Sequence, residues 1–304
     1  VAVRVERPGV CIDCAHPGWS VSAQLDPLVS AEWLVSEIAA EDLKVIDATW
    51  FLPSEGINSI AEFWREHIPG AVHFDIDAVA DRSVPLPHML ADAESFARSA
   101  SEMGLSNRDR VVVYDRNGMA PSARVWWTFR AFGHSAVALL DGGLAAWIAQ
   151  GGGTESGALD IPSGAFDAHY NPDTVRDLDQ MRALVADPDS AEQIVDARPA
   201  DRFHCIAPEP REGIRPGRMP GSLNVPSSEL VEPGTGALLS PALLRERFEA
   251  GGVDLSRPTV TSCGSGVTAA LLAFALNQIG AQEAAVYDGS WTEWGGRADT
   301  PIET

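Results

Sequence analysis

The stretch Pro258-Thr-Val-Thr-Ser-Cys-Gly-Ser-Gly-Val-Thr268 leads directly into Ala269-Ala-Leu-Leu-Ala-Phe-Ala-Leu276. The β-branched run before the cysteine predicts a short buried strand, and the good helix formers after the second glycine predict a helix. Cys263 therefore lies on the turn between strand and helix, where Gly264 and Gly266 allow the backbone to curve tightly. A strand that leads into a helix in this way is typical of an α/β fold.

The predicted turn surrounds Cys263 with groups that favour an anion. Successive backbone N–H groups of such a turn point inward, and the following helix adds the positive end of its dipole. Both stabilise the thiolate, which is the nucleophilic form of cysteine. A buried structural cysteine is the alternative, because an isolated cysteine behaves as a small hydrophobe. The two flanking glycines favour the nucleophile.

The chain repeats itself with an offset of about 150 residues. Arg110-Val-Val-Val-Tyr-Asp115 matches Pro258-Thr-Val-Thr-Ser-Cys263, and Leu140-Asp-Gly-Gly-Leu-Ala-Ala-Trp147 matches Tyr287-Asp-Gly-Ser-Trp-Thr-Glu-Trp294. Each copy alternates short apolar runs with helical stretches, which predicts a parallel sheet flanked by helices. Asp115 stands in the first copy where the second has its cysteine, so only the second copy can form a thiol adduct.

This duplication predicts two α/β domains of related fold. A Gly/Pro/Ser-rich stretch lies between the copies and predicts a flexible linker. We place an N-terminal extension at 1–28, a non-catalytic domain at 29–152, the linker at 153–172 and a catalytic domain at 173–304. The first domain is expected to form one wall of a cleft at the domain interface, where ligand sites tend to occur.

Several motifs resemble those of the rhodanese superfamily. Cys-Gly-Ser-Gly-Val-Thr-Ala at 263–269 is similar to the active-site loop of that superfamily, and most closely to that of the 3-mercaptopyruvate sulfurtransferases. Asp196-Ala-Arg198, Pro208-Glu-Pro-Arg211 and Pro220-Gly-Ser-Leu-Asn-Val-Pro226 are similar to further motifs of the same family. The resemblance implies two tandem rhodanese-like domains and a persulfide on Cys263. It implies no metal and no organic cofactor.

The resemblance also implies a substrate-binding set around the cysteine. Arg202 and Arg211 match the arginines that hold an α-keto acid, and a planar guanidinium suits a carboxylate because it donates two parallel hydrogen bonds. The alternative for both is a solvated arginine that caps or solubilises a loop. The other residues assigned to substrate binding belong to the cysteine loop itself: Gly264, Gly266, Val267 and Thr268.

A proton relay is the remaining expectation for the site. Ser265 lies two residues after the nucleophile and is assigned to hydrogen bonding or proton movement, although a small polar residue also simply suits a tight loop. The resemblance pairs this serine with a histidine and an acid, and we assign the histidine to His67, in the segment before Pro-Gly. Asn58 and Glu62 stand where the acid is expected. A structural role for His67 is the alternative.

Composition and charge limit the partners. The chain has 304 residues, of which 45% are hydrophobic and 21% charged, and a formal net charge of -21. Such a charge argues against nucleic acid or an anionic membrane as partner. No apolar run reaches membrane-spanning length, so we expect a cytoplasmic protein. Cys11 and Cys14 offer only half of a four-ligand zinc site. Cys205 is expected to be a bystander, with a redox-sensing role as the alternative.

The sequence therefore predicts a sulfurtransferase that takes sulfur from 3-mercaptopyruvate and passes it to cyanide, a small thiol or a thioredoxin-like protein. Thiosulfate:cyanide sulfurtransferase is the nearest alternative, but its dianionic donor calls for cations where this chain has Gly264 and Ser265. A cysteine phosphatase would need an arginine at position 269, which is Ala269. A non-catalytic interaction module is the third alternative, and it fits the first domain alone.

Overall fold

The computed structural model describes residues 25–282 and 284–304. Cys11 and Cys14, for which an incidental or weakly redox-active role was expected, lie outside the described residues. The elements of the first half are β1 (Leu28–Val29), α1 (Ala31–Glu37), β2 (Leu43–Asp47), α2 (Ser59–Arg65), β3 (Val72–His73), α3 (Ile76–Val79), α4 (Ala93–Glu102), β4 (Arg110–Tyr114), α5 (Ala120–Ala131), β5 (Val137–Leu140) and α6 (Gly143–Ala149).

The second half repeats this order of strands and helices. Its elements are β6 (Val175–Arg176), α7 (Leu178–Ala186), β7 (Gln193–Asp196), α8 (Ala200–Phe203), β8 (Leu223–Asn224), α9 (Pro241–Ala250), β9 (Thr259–Ser262), α10 (Val267–Gln278), β10 (Ala285–Tyr287) and α11 (Ser290–Gly296). Polar side chains start several of these helices. In α7, for example, Asp177 accepts from the N–H of Gln180 while the Gln180 side chain accepts from the N–H of Asp177.

Each half forms its own five-stranded parallel sheet. The strand order is β1-β5-β4-β2-β3 in the first sheet and β6-β10-β9-β7-β8 in the second. The central strands are in matching register, since Val45 lies opposite Val112 and Ile194 lies opposite Val260. Helices cover both faces of each sheet, which explains why the central strands are continuous apolar runs. The prediction of two tandem α/β domains with parallel sheets is confirmed.

The two domains share a core through α5 and α10. Nearly every residue of α10 is buried, as expected for a helix that is apolar on all sides. The rings of Trp126 in α5 and Phe274 in α10 meet edge to face, with centroids 4.9 Å apart. Because these helices follow Asp115 and Cys263, their packing brings both turns to the domain interface.

The stretch between the domains is bound to the first domain along its length. Glu155 exchanges two backbone hydrogen bonds with His67, each 2.9 Å long. Phe166 packs in the aromatic core of the first domain, 5.7 Å from Phe96 by ring centroids. The side chain of Asn107 donates to the carbonyl of Asp167 and accepts from its N–H. The structure therefore holds in place the connection that the sequence predicted to be flexible. No described helix is long and apolar enough to cross a membrane.

Candidate active site

Cys263 occupies the turn between β9 and α10, as the sequence predicted. Its side chain is only 2% exposed. The N–H of Gly266 donates to Sγ over 3.1 Å. Ser290, which follows the last strand, accepts from the Cys263 N–H at 3.1 Å, and its hydroxyl oxygen lies 4.0 Å from Sγ. The turn thus offers a backbone donor directly to the sulfur, which is the arrangement that stabilises a thiolate.

The two glycines beside the cysteine are required for different reasons. Gly266 has φ 82°, and a Cβ placed there would lie 2.8 Å from Nη1 of Arg124 and 2.9 Å from the Asp288 carbonyl oxygen. Only glycine satisfies both the left-handed backbone and this close approach. Gly264 leaves room for a substrate-binding side chain, because a Cβ there would lie 3.3 Å from Nη2 of Arg202.

Cys263 opens into a cleft of about 340 Å³ between the two domains. That volume suits a small organic acid. The first domain forms one wall with Trp50, Leu52, Glu55, Asn117, Ala120 and Pro121. From the predicted set, the second domain places these residues around the cleft: Arg202, Arg211, Cys263, Gly264, Ser265, Val267 and Thr268. Gly266 contributes its N–H behind the sulfur.

A buried chain of alternating charges fixes Arg202. Nη2 of Arg202 donates to one carboxylate oxygen of Glu209, and Nη1 of Arg198 donates to the other over 2.7 Å. Arg198 is in turn paired with Asp196 at 2.8 Å, and both of their side chains are fully buried. The charge of Arg202 is therefore partly neutralised by Glu209. The short helix α8 carries Arg202.

Arg211 is the less neutralised of the two arginines. Within the described parts of the chain it forms no ion pair. Burial lowers the pKa of Arg211, and negative charge on Cys263 and on Glu209 opposes that shift. A half-buried guanidinium that lines the same cleft as Cys263 is suited to hold the carboxylate of a small anionic substrate.

The structure does not bring His67 to the cleft, which corrects its assignment to a proton relay. His67 is fully buried within the first domain, where Nδ1 lies 2.8 Å from the Phe63 carbonyl oxygen and the ring stacks on Phe63. The two residues at the positions where the acid was expected also have local partners. Asn58 caps α2 through the N–H of Ala61, and Glu62 is paired with Arg65. A histidine before Pro-Gly is here a core residue.

A different histidine lies behind the wall of the cleft. Nδ1 of His88 is 2.9 Å from a carboxylate oxygen of Asp77, and this contact lowers the pKa of Asp77. The other Asp77 oxygen accepts from Nε1 of Trp50, whose ring lines the cleft and meets His88 edge to face. Nε2 of His88 is buried without a hydrogen-bond partner among the described residues. No local pattern in the sequence links positions 77 and 88, so only the structure identifies the pair.

The corresponding turn of the first domain is closed by its own carboxylate. Asp115 accepts from the N–H groups of Asn117, Met119 and Ser122 over 2.9–3.1 Å. Burial raises the pKa of Asp115, and the same N–H groups oppose that rise. The donors that face the sulfur of Cys263 in the second domain are thus occupied in the first.

Cys205 lies outside the cleft lining. It follows α8 in a tight turn, with φ 61° and its N–H bonded to the Arg202 carbonyl at 3.2 Å. Its side chain is partly exposed, and it shares no contact with Cys263 among those that the structure describes. The plain expectation of a bystander stays a prediction.

Comparison with known proteins agrees with this architecture. The model of the Rhodanese-like domain family matches residues 30–150 and 177–297. The chain is 42% identical to the 3-mercaptopyruvate sulfurtransferase of Escherichia coli K12 over 276 residues, which are 90% of this chain and 97% of that protein. It is 40% identical to the Thiosulfate/3-mercaptopyruvate sulfurtransferase 1, mitochondrial, of Arabidopsis thaliana over 317 residues, or 97% of this chain and 83% of the relative.

Solved structures give the same result. The crystal structure of the 3-mercaptopyruvate sulfotransferase SseA from Escherichia coli superposes with a TM-score of 0.79 at 39% identity, covering 87% of this chain and 98% of that one. Family match, sequence identity and superposition all extend over both domains. The chain therefore belongs to the rhodanese family, among its two-domain 3-mercaptopyruvate sulfurtransferases.

Proposed function

We propose that this protein transfers sulfur from 3-mercaptopyruvate to a thiophilic acceptor through a persulfide on Cys263, releasing pyruvate. One observation carries the proposal. The sulfur of Cys263 faces an interdomain cleft that also holds two guanidinium groups, while the N–H of Gly266 contacts that sulfur from behind. A cleft with one nucleophile and two cations fits a donor that carries both a carboxylate and a transferable sulfur.

In the first half-reaction the Cys263 thiolate attacks the sulfur of the donor. A sulfur–sulfur bond forms as the carbon–sulfur bond breaks, and the electron pair of the broken bond passes to carbon as the enolate of pyruvate. In this proposal Arg211 holds the carboxylate, and Arg202, fixed by Glu209, stabilises the charge that develops on the keto oxygen. The enolate then takes up one proton and leaves as pyruvate.

Two groups are suited to deliver that proton to the enolate. Ser265 lines the cleft two residues after the nucleophile. His88 is paired with Asp77 and contacts Trp50, which lines the cleft. It therefore takes the proton-relay role that the sequence analysis assigned to His67. A histidine oriented by a carboxylate through one ring nitrogen keeps the other nitrogen for proton exchange. We assign the relay to Ser265 and His88 on this basis.

In the second half-reaction an acceptor attacks the outer sulfur of the persulfide. The sulfur–sulfur bond breaks, the acceptor keeps the outer sulfur, and Cys263 returns as a thiolate facing the N–H of Gly266. Cyanide, small thiols and a thioredoxin-like protein are the acceptors that we propose, because each is a nucleophile toward sulfur. The cytoplasmic location stays a prediction.

Thiosulfate is the competing donor, and the name of the Arabidopsis relative includes both donors. It concentrates two charges on a small ion. The loop after the cysteine provides Gly264 and Ser265 in place of cations, and Glu209 partly neutralises Arg202. We therefore favour the monoanionic keto acid, whose charge a single arginine can match.

Steady-state kinetics with both donors test this proposal. We expect a higher kcat/KM for 3-mercaptopyruvate than for thiosulfate, and no transfer from either donor by Cys263→Ser. Mass measurement after treatment with 3-mercaptopyruvate should locate one added sulfur on Cys263. Equal or better use of thiosulfate would reject the donor assignment, and an added sulfur on Cys205 would reject the nucleophile.

A further inference from the structure

Two hydrogen bonds from a backbone N–H to an aspartate side chain join the domains in a reciprocal manner. Asp288 of the second domain accepts from the N–H of Leu90 in the first, over 2.7 Å. Asp141 of the first domain accepts from the N–H of Leu238 in the second, over 2.8 Å. The two aspartates occupy corresponding positions of the repeat, each directly after the last strand of its sheet. We call these contacts the Asp288 bridge and the Asp141 bridge.

Among the residues that the structure describes, only the Asp288 bridge contains an arginine. Nη1 of Arg124, from helix α5 of the first domain, donates to the second oxygen of Asp288 over 2.7 Å. The two side chains are 3% and 5% exposed, so the pair is shielded from water. The corresponding positions of α10 hold Leu271 and Leu272, and the Asp141 bridge has no counterpart of Arg124 there. The repeat has therefore become asymmetric on the side of the reacting cysteine.

Arg124 reaches three further groups around the site. Nη1 lies 3.4 Å from the carbonyl oxygen of Gly266, and Nη2 donates to the carbonyl of His88. Its guanidinium also lies over the ring of Trp127, 4.4 Å from the centroid. One buried cation thus joins the residue whose N–H contacts Sγ of Cys263 to the backbone of the histidine assigned to the proton relay.

We propose that Arg124 is a positioning residue, through which the first domain sets the conformation of the Cys263 loop. Gly266 needs a left-handed backbone to aim its N–H at the sulfur, and the hydrogen bond to its carbonyl fixes the peptide that follows. Stability alone does not account for Arg124, because a buried ion pair is in general no more stable than well-packed apolar groups of similar volume. This role gives the first domain, which has lost its own nucleophile, a part in the chemistry, and it rests on the proposed persulfide on Cys263.

Arg124→Met tests the proposal, with Asp141→Ala as its matched control. Three quantities are measured on the full chain: the rate of persulfide formation at saturating 3-mercaptopyruvate, the KM for that donor, and the rate of Cys263 alkylation by iodoacetamide. In Arg124→Met we expect persulfide formation and alkylation to slow about tenfold, with KM changed less than about twofold, because the substrate-holding arginines remain in place. Arg124→Lys should recover part of both rates, since it keeps the cation.

Asp141→Ala removes the other bridge and should lower the melting temperature while alkylation stays at the wild-type rate. If Arg124→Met and Asp141→Ala lower the melting temperature alike and both alkylate at the wild-type rate, Arg124 only stabilises the interface and the proposal is wrong. If Arg124→Met does not fold, Asp288→Asn takes its place. Persulfide formation and alkylation should then slow in Asp288→Asn, and alkylation at the wild-type rate would contradict the proposal. Alkylation needs no sulfur donor, so a wrong assignment of the donor would leave this outcome unchanged.

Discussion

Gly266→Ala should disable the cysteine loop. At φ 82° an alanine costs about 1–2 kcal/mol relative to glycine, because its Cβ approaches the carbonyl oxygen. The added Cβ would also lie 2.9 Å from the carbonyl oxygen of Asp288, a backbone atom that has little freedom to move away. The loop must shift instead, and with it the N–H that contacts Sγ of Cys263 at 3.1 Å.

The size of the effect follows from that contact. A hydrogen bond to a charged group contributes about 1.5–3 kcal/mol, and about 1.4 kcal/mol corresponds to tenfold in rate. Loss of the Gly266 N–H therefore predicts persulfide formation about 10- to 150-fold slower than in the wild type. Time-resolved mass measurement of the Cys263 persulfide after mixing with 3-mercaptopyruvate gives this rate directly. Alkylation by iodoacetamide should slow in parallel, because the same thiolate reacts.

Gly118→Ala is the matched control. Gly118 is the corresponding glycine of the first domain, with φ 95° and no atom within 4 Å of a Cβ placed there. It carries the same conformational cost of about 1–2 kcal/mol, which should lower Tm by about 2–4 °C per kcal/mol in a chain of this size. Its sulfur transfer should stay at the wild-type rate. Normal sulfur transfer by Gly266→Ala, or equal slowing by Gly118→Ala, would show that the Gly266 N–H does not stabilise the reacting sulfur.

Two further predictions concern the walls of the cleft. Arg211→Ala should reduce kcat/KM for 3-mercaptopyruvate by about 10- to 150-fold. Arg202→Ala should reduce it by less, because Glu209 already neutralises part of the Arg202 charge. Equal losses in the rate of iodoacetamide alkylation would mean that the arginines organise the loop and do not bind the substrate. His88→Asn should slow persulfide formation at saturating donor with little change in KM. His67→Asn should lower Tm and leave the rate of persulfide formation unchanged. The reverse result would mean that His67, and not His88, acts in the proton relay.

Much of the architecture was predictable because it depends on neighbours in the chain. The alternation of short apolar runs with helical stretches identified parallel sheets, and the repeat identified two domains. Cys263 at the end of a strand, followed by Gly-Ser-Gly, identified the nucleophilic turn. Arg202 and Arg211 line the cleft, and their role in substrate binding stays a prediction from the resemblance to family motifs. Spacing alone does not distinguish a substrate-binding arginine from a solvated one.

The relay histidine shows where such reasoning fails. His67 and His88 both lie within two residues of a proline in the first domain, and nothing in the local pattern says which one faces the cleft. The choice depends on how the segment after β3 packs against Trp50 and Asp77, which the chain order does not reveal. The resemblance of a short motif therefore led to His67, which the structure buries away from the cleft.

The sequence by itself determined the duplicated α/β plan, the single competent cysteine and the chemistry that a thiolate in a glycine turn can perform. These follow from periodicity, residue type and local turn geometry, which act over a few residues. Only the tertiary structure decided that Arg124 meets Asp288, 164 positions away, and that Glu209 joins Arg198 to Arg202. Such contacts arise when two folded units exclude water between them, because a charge removed from water must find its partner wherever packing places one.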